Sequence, residues 1–182
     1  MDTPLPSPED LLRCWREAGP KRWFKRDDAF DARLRDTFLA AHEAAAAGRL
    51  QHWQDSARSS LALVLLLDQF PRNAFRGTAR MYATDAQARE AADTAIRRGF
   101  DREVDAELRQ FFYLPFMHSE RLEDLDRCVV LNGGLGGDSL RYAQHHRDIV
   151  ARFGRFPHRN AVLGRASTPD EERFLREGGF AG

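Results

Sequence analysis

Three stretches of the sequence set charged and amide side chains beside apolar ones where helices end, and these residues are the ones equipped for chemistry. The first, Leu67–Gly77, carries Asp68, Gln69, Arg72, Asn73 and Arg76; the second, Leu114–Glu120, carries His118 and Glu120; the third, Arg152–Asn160, carries Arg155, His158, Arg159 and Asn160. Arginine offers a planar, two-pronged donor that matches carboxylate or phosphate. Histidine is the side chain best suited to moving a proton near neutral pH. If the three stretches meet, Arg72, Arg76 and Arg159 would grip a small or extended anionic ligand, with His118 and His158 facing it and Asp68 and Glu120 orienting their neighbours. The same groups also suit a metal-independent hydrolase or isomerase, for which His118, Glu120, His146 and His158 are the candidate catalytic residues.

A plainer reading competes at each position. Phe70–Ala74 and Phe156–Ala161 resemble one another, differing by one inserted histidine, and both could simply punctuate helices, with Asn73 and Asn160 as N-caps and the arginines bracing carboxylates such as Asp68. That reading explains less well why Asp68, Gln69, Arg72 and Arg76 crowd the end of a seven-residue apolar run, where an unpaired charge costs on the order of several kcal/mol. His118 and Glu120, one residue apart, would point the same way in an extended stretch, with Ser119 capping the next helix. Adding His146 makes a two-histidine, one-carboxylate set, but its spacing matches no strong metal pattern. No metal and no cofactor is expected. His146 lies mid-stripe on an apolar helical face, the usual place of a hydrogen-bonded core histidine. Gly133–Gly137 follows a helix, not a strand, and lacks the Gly-Lys-Ser/Thr of a phosphate loop, and no Gly-x-Ser-x-Gly elbow is present.

The elements that must position these residues read as helices throughout. Leu and Ala number 45 against 8 for Val and Ile, a bias toward helix formers. Ser7-Pro8 opens a helix that Gly19-Pro20 closes; Asp27 or Asp28 opens another, with Phe30, Leu34, Phe38, Ala41 and Ala45 on one face. Asp55 starts a third through Leu61–Leu67, apolar all round and therefore central. Thr84 and Gln87 form a capping box for a fourth with a narrow alanine face, ended by Gly99. A fifth spans about 103–113 and stops at Pro115, a sixth runs from Ser119 or Glu120 to Gly133, Asp138 caps a seventh, and Thr168-Pro169-Asp170-Glu171 opens an eighth. The expected fold is all-α: about eight helices packed as antiparallel hairpins in a single domain over 1–182.

Charge narrows the function further. The 182 residues carry 28 basic and 28 acidic side chains, a formal net charge of +0, so nucleic-acid binding lacks its electrostatic driver. The longest apolar run is far below the roughly 20 residues that span a bilayer, and no charged-then-apolar secretory leader is visible at the amino end, so the expected compartment is the cytoplasm with no membrane partner. Cys14 and Cys128 lie in no metal or redox pattern and read as small buried hydrophobes. Oligomeric state leaves no mark in the sequence.

From about Leu11 to Phe180 the chain resembles the bacterial family known as domain of unknown function 924. The resemblance rests on Leu67–Asn73, Phe75–Thr78, Tyr113–Glu120 and Arg152–Asn160, with a lean Gly133–Gly137 stretch as the one departure. It implies an all-helical, tetratricopeptide-like fold bearing polar signature residues, and no particular activity. A tetratricopeptide-like scaffold would also suit a peptide-binding interaction module, although no 34-residue period runs through the sequence.

Overall fold

Local side-chain caps fix where four of the nine helices of the described residues begin. The computed structural model describes residues 4–180. Helix α1, Pro8–Ala18, opens with the full capping box of Ser7 and Asp10, and the last helix, α9 (Pro169–Arg176), with that of Thr168 and Glu171. Asp27 caps α3 (Asp28–Ala46) by accepting from the Phe30 amide at 3.0 Å. Between them lie a single turn α2 (Pro20–Trp23), α4 (Ala57–Ala74), α5 (Asp85–Arg97), α6 (Ala106–Met117), α7 (Leu122–Gly133) and α8 (Gly137–Phe153), with short 3₁₀ turns at 51–55, 79–82, 100–102 and 157–159. The described residues form an all-α protein of nine helices, and among them no helix is long and apolar enough to cross a membrane.

The chain resolves into two compact units, one holding the chain through Arg76 together with Arg80–Pro115, the other Gly77–Ala79 together with Phe116 onward. In the first, α4 is the centre, packed on α1, α3 and α5. Every residue of Leu61–Leu67 is buried, as a helix without a polar face requires. Ala88, Ala92 and Ala95 let α5 approach closely. Trp15 stacks nearly parallel on Trp23 and meets Phe111 edge-on, and the Trp23 indole N–H donates to the Trp15 carbonyl at 2.7 Å. In the second unit α7 and α8 pair over a core of Leu125, Ile149, Val150 and Phe156, with Phe153, Phe174 and Phe180 against it.

Several expected boundaries move, each for an identifiable reason. Pro71 and Pro115 lie inside α4 and α6, not beyond them. A proline within a helix removes the donor to the carbonyl four residues back, which for Pro71 is Leu67. That carbonyl accepts instead from the Thr84 hydroxyl at 2.6 Å. Thr84 therefore stands at the N-cap position of α5 without capping it, and Gln87 donates to the Ala46 carbonyl. Ser56 caps α4 in place of Asp55. Ser119 donates to Asp124 and accepts from the Arg121 amide, so α7 starts at Leu122. Asp138 falls in the first turn of α8, whose N-cap is Gly136. Cys128 is fully buried and Cys14 half-buried.

Candidate functional site

The candidate residues resolve into two groups, one in each unit. In the first unit they form two ion-pair clusters at the carboxyl end of α4. Arg72 grips both oxygens of Asp85, at 2.8 and 3.1 Å, while also donating to the Asp68 carbonyl and lying 3.4 Å from its carboxylate. Burial works against the Arg72 charge, but Asp68 and Asp85 outweigh it and hold the group firmly ionised. Gln69 donates to Asp68 at 2.7 Å. Asp31, on α3, collects Asn73 at 2.7 Å and the two prongs of Arg76 at 2.6 and 3.3 Å. Asn73 is thus a bracing side chain within α4 and caps no helix. Both arginine forks of this group are engaged by carboxylates of the same unit, the arrangement that makes buried charge tolerable.

The second unit gathers the rest. Glu120 accepts from the Phe156 amide at 2.8 Å and takes a bidentate grip from Arg165 at 2.7 and 2.9 Å. Burial pushes its pKa up, but the Arg165 bonds and the Phe156 amide leave it below the ordinary value. Arg165 also donates to Asn160 at 3.0 Å; Asn160 in turn donates to Ser167 and to Glu171. Asn160 is no N-cap either. Glu171 is 2% exposed and bound by both prongs of Arg155 at 2.6 and 2.8 Å. Those bonds, with burial opposing and the Thr168 amide assisting, hold its carboxyl at about 2. This relay of alternating charge ties Glu120 and the whole 154–171 segment into one framework.

On that framework stands a group of imidazoles. His146, buried on α8, donates from Nδ1 to the Tyr142 carbonyl at 2.8 Å; a carbonyl can only accept, so Nδ1 carries the proton. Burial lowers its pKa to about 4, and the charges of His118, His145 and His158 push the same way. His158, on the 157–159 turn, is also lowered to about 4, first by burial and then by Arg159, with Arg165 and His118 adding to the effect and Glu120 opposing it. Its Nδ1 is buried and has no hydrogen-bond partner among the described residues. Arg159 is buried with its guanidinium 4.6 Å over the Phe156 ring. The Phe180 ring touches three imidazoles edge-on, at 5.8, 4.6 and 5.1 Å from His145, His146 and His158. Among the described residues no three His, Cys, Asp or Glu side chains are grouped to hold a metal ion.

In the first unit the structure thus gathers Asp68, Gln69 and Arg72 around Asp85 and, separately, Asn73 and Arg76 on Asp31; in the second it bonds Glu120, Arg155 and Asn160 through Arg165 and Glu171, with His146, His158 and Arg159 grouped about Phe156 and His118 acting on both imidazoles through its charge. Sequence reasoning missed Asp31, Asp85 and Arg165. Asp31 had left a signal, since an acid three residues before Leu34 continues the stripe of Leu34, Phe38, Ala41 and Ala45 onto a buried face. Arg165 left none.

The bacterial protein family of unknown function DUF924 matches residues 11–179. The chain belongs to this family. It is 56% identical to a protein of unknown function from Agrobacterium tumefaciens whose structure has been solved, over 94% of this chain and 97% of that chain, with a TM-score of 0.92. No curated protein matches the chain. All the residues of both groups, from Asp31 to Glu171, fall within the span matched by the DUF924 family.

Proposed function

We propose that the second unit binds a small anionic ligand at the imidazole of His158. The observation that carries this reading is the buried His158 Nδ1 with no partner among the described residues, because an unsatisfied buried polar group costs roughly 1–3 kcal/mol and native proteins seldom leave one idle. The surroundings favour a negative partner. Arg159, Arg165 and His118 together outweigh the opposing charge of Glu120 at this ring, and an anion there would relieve the positive field that remains. In its neutral form the ring can place its proton on Nδ1 and donate it to a carboxylate or phosphate oxygen. Arg159 and His118 flank the ligand. Glu120 holds Arg165, and Asn160, Glu171 and Arg155 hold the segment that carries His158, so these four act as positioning residues. The first unit's Asp68, Gln69, Arg72, Asn73 and Arg76 serve as its internal brace.

Isothermal titration of the full chain with inorganic phosphate and with acetate tests the proposal. The wild-type chain binds at least one of them, and His158→Ala weakens that binding tenfold or more, about 1.4 kcal/mol. Equal affinity in the two proteins would overturn the assignment. Turnover of phosphate or carboxylate esters that vanishes in His118→Ala would extend the site from binding to catalysis.

A further inference from the structure

The end of the described chain folds back on the same site. Gly178 has φ +85, a left-handed conformation that side chains rarely adopt. Gly179 donates its amide to the Phe174 carbonyl at 2.9 Å, and a Cβ at Gly179 would lie 2.5 Å from that carbonyl oxygen and 2.6 Å from the Phe174 ring. Two glycines therefore make a reversal that no bulkier pair would make, and its result is to carry Phe180 onto His146 and His158. The ring is only half-buried there. It packs against the core of Leu125, Ile149, Val150 and Phe156, yet three of its neighbours are imidazoles met edge-on, at interplanar angles of 63°, 81° and 85°. Edge-to-face geometry of this kind suits any planar aromatic ring. The unpartnered His158 Nδ1 lies on one of those imidazoles.

We infer that Phe180 is an internal stand-in for the apolar half of the ligand, so that the site takes an aromatic ring bearing an anionic group and Phe180 gives way when that ring enters. The inference rests on the anion-binding reading above. It makes the tail a competitor: the fraction of molecules with Phe180 docked is lost to the ligand, and apparent affinity falls by that fraction. Removing the ring, or straining the turn that delivers it, raises affinity for aromatic anions and leaves small anions unaffected.

The test compares benzoate with acetate, and phenyl phosphate with inorganic phosphate, by calorimetric titration of the full chain as wild type, Phe180→Ala and Gly179→Ala. The expected result is that Phe180→Ala binds benzoate or phenyl phosphate about tenfold tighter than wild type, while acetate and phosphate change less than twofold. Gly179→Ala, which keeps the ring but displaces the turn, shifts affinity in the same direction. If acetate or phosphate binds and the aromatic forms gain nothing in either variant, this inference is overturned and the anion site stands. If no anion binds to any of the three proteins, both fall together.

Discussion

Replacing Thr84 by valine keeps nearly the same shape and deletes one hydroxyl, and the structure makes that hydroxyl unusually consequential. Pro71 cannot donate to the Leu67 carbonyl, which lies on the innermost helix; Thr84 does so at 2.6 Å, and Leu67 and Thr84 are 3% and 4% exposed. Thr84→Val leaves that carbonyl without its donor, in a place water does not reach. The cost is about 1–3 kcal/mol, and for a chain of this length each kcal/mol lowers Tm by roughly 2–4 °C. The decisive comparison is a double-mutant cycle with Pro71→Ala, which supplies a helical N–H to the same carbonyl. In that background Thr84→Val should cost at least about 1 kcal/mol less, a coupling within the range seen for residues sharing a partner. Urea and thermal unfolding followed by far-ultraviolet circular dichroism give all four values. A cost for Thr84→Val that is the same with proline and with alanine at 71 would refute the claim that this hydroxyl replaces the missing amide.

Stability should fall in two successive acid windows. His146 and His158 titrate near 4 in the folded chain and near their ordinary 6.5 when unfolded, so the unfolded state takes up protons first: their contribution is complete above pH 6.5 and is lost as pH falls to about 4. For buried His146 this amounts to about 3 kcal/mol, and His146→Phe should flatten the slope of unfolding free energy across that window. Glu171 sits at about 2 against an ordinary 4.5, so its contribution is complete above 4.5 and disappears as pH falls toward 2; Glu171→Gln removes this lower slope and leaves the upper one. The Cys128 thiol, pushed up to about 12 by burial against a weaker opposing bond from Asn132, should resist a disulfide reagent at pH 8 until the protein unfolds. Labelling kinetics check this, and reaction at the rate of a free thiol would contradict it.

Apolar stripes and some of the caps were legible in the sequence because they depend on residues within one or two turns, whereas Asp55, Thr84, Ser119 and Asp138 cap no helix. Ser7, Asp27 and Thr168 start their helices as read, and the Leu61–Leu67 run is central because nothing polar interrupts it. Pro71 and Pro115 misled for the complementary reason. Whether a proline ends a helix depends on who satisfies the orphaned carbonyl, and for Pro71 that partner is 17 positions away from Leu67. The candidate side chains stood out by type and crowding, but their partners did not. Asn73 meets Asp31 across 42 residues, and Glu120 meets Arg165 across 45. No periodicity links positions so far apart, so the sequence could nominate charged residues without telling which are matched. The imidazole group was visible only as scattered histidines.

The most direct measurement is the pKa of the His158 imidazole, followed by nuclear magnetic resonance of a histidine-labelled chain with and without phosphate. Without anion the ring titrates near 4. A negative ligand at Nδ1 stabilises the protonated form, so the midpoint rises with phosphate concentration, and by linkage phosphate binds more tightly at lower pH. A His158 midpoint that stays near 4 at saturating phosphate, while other histidines respond, would contradict the account.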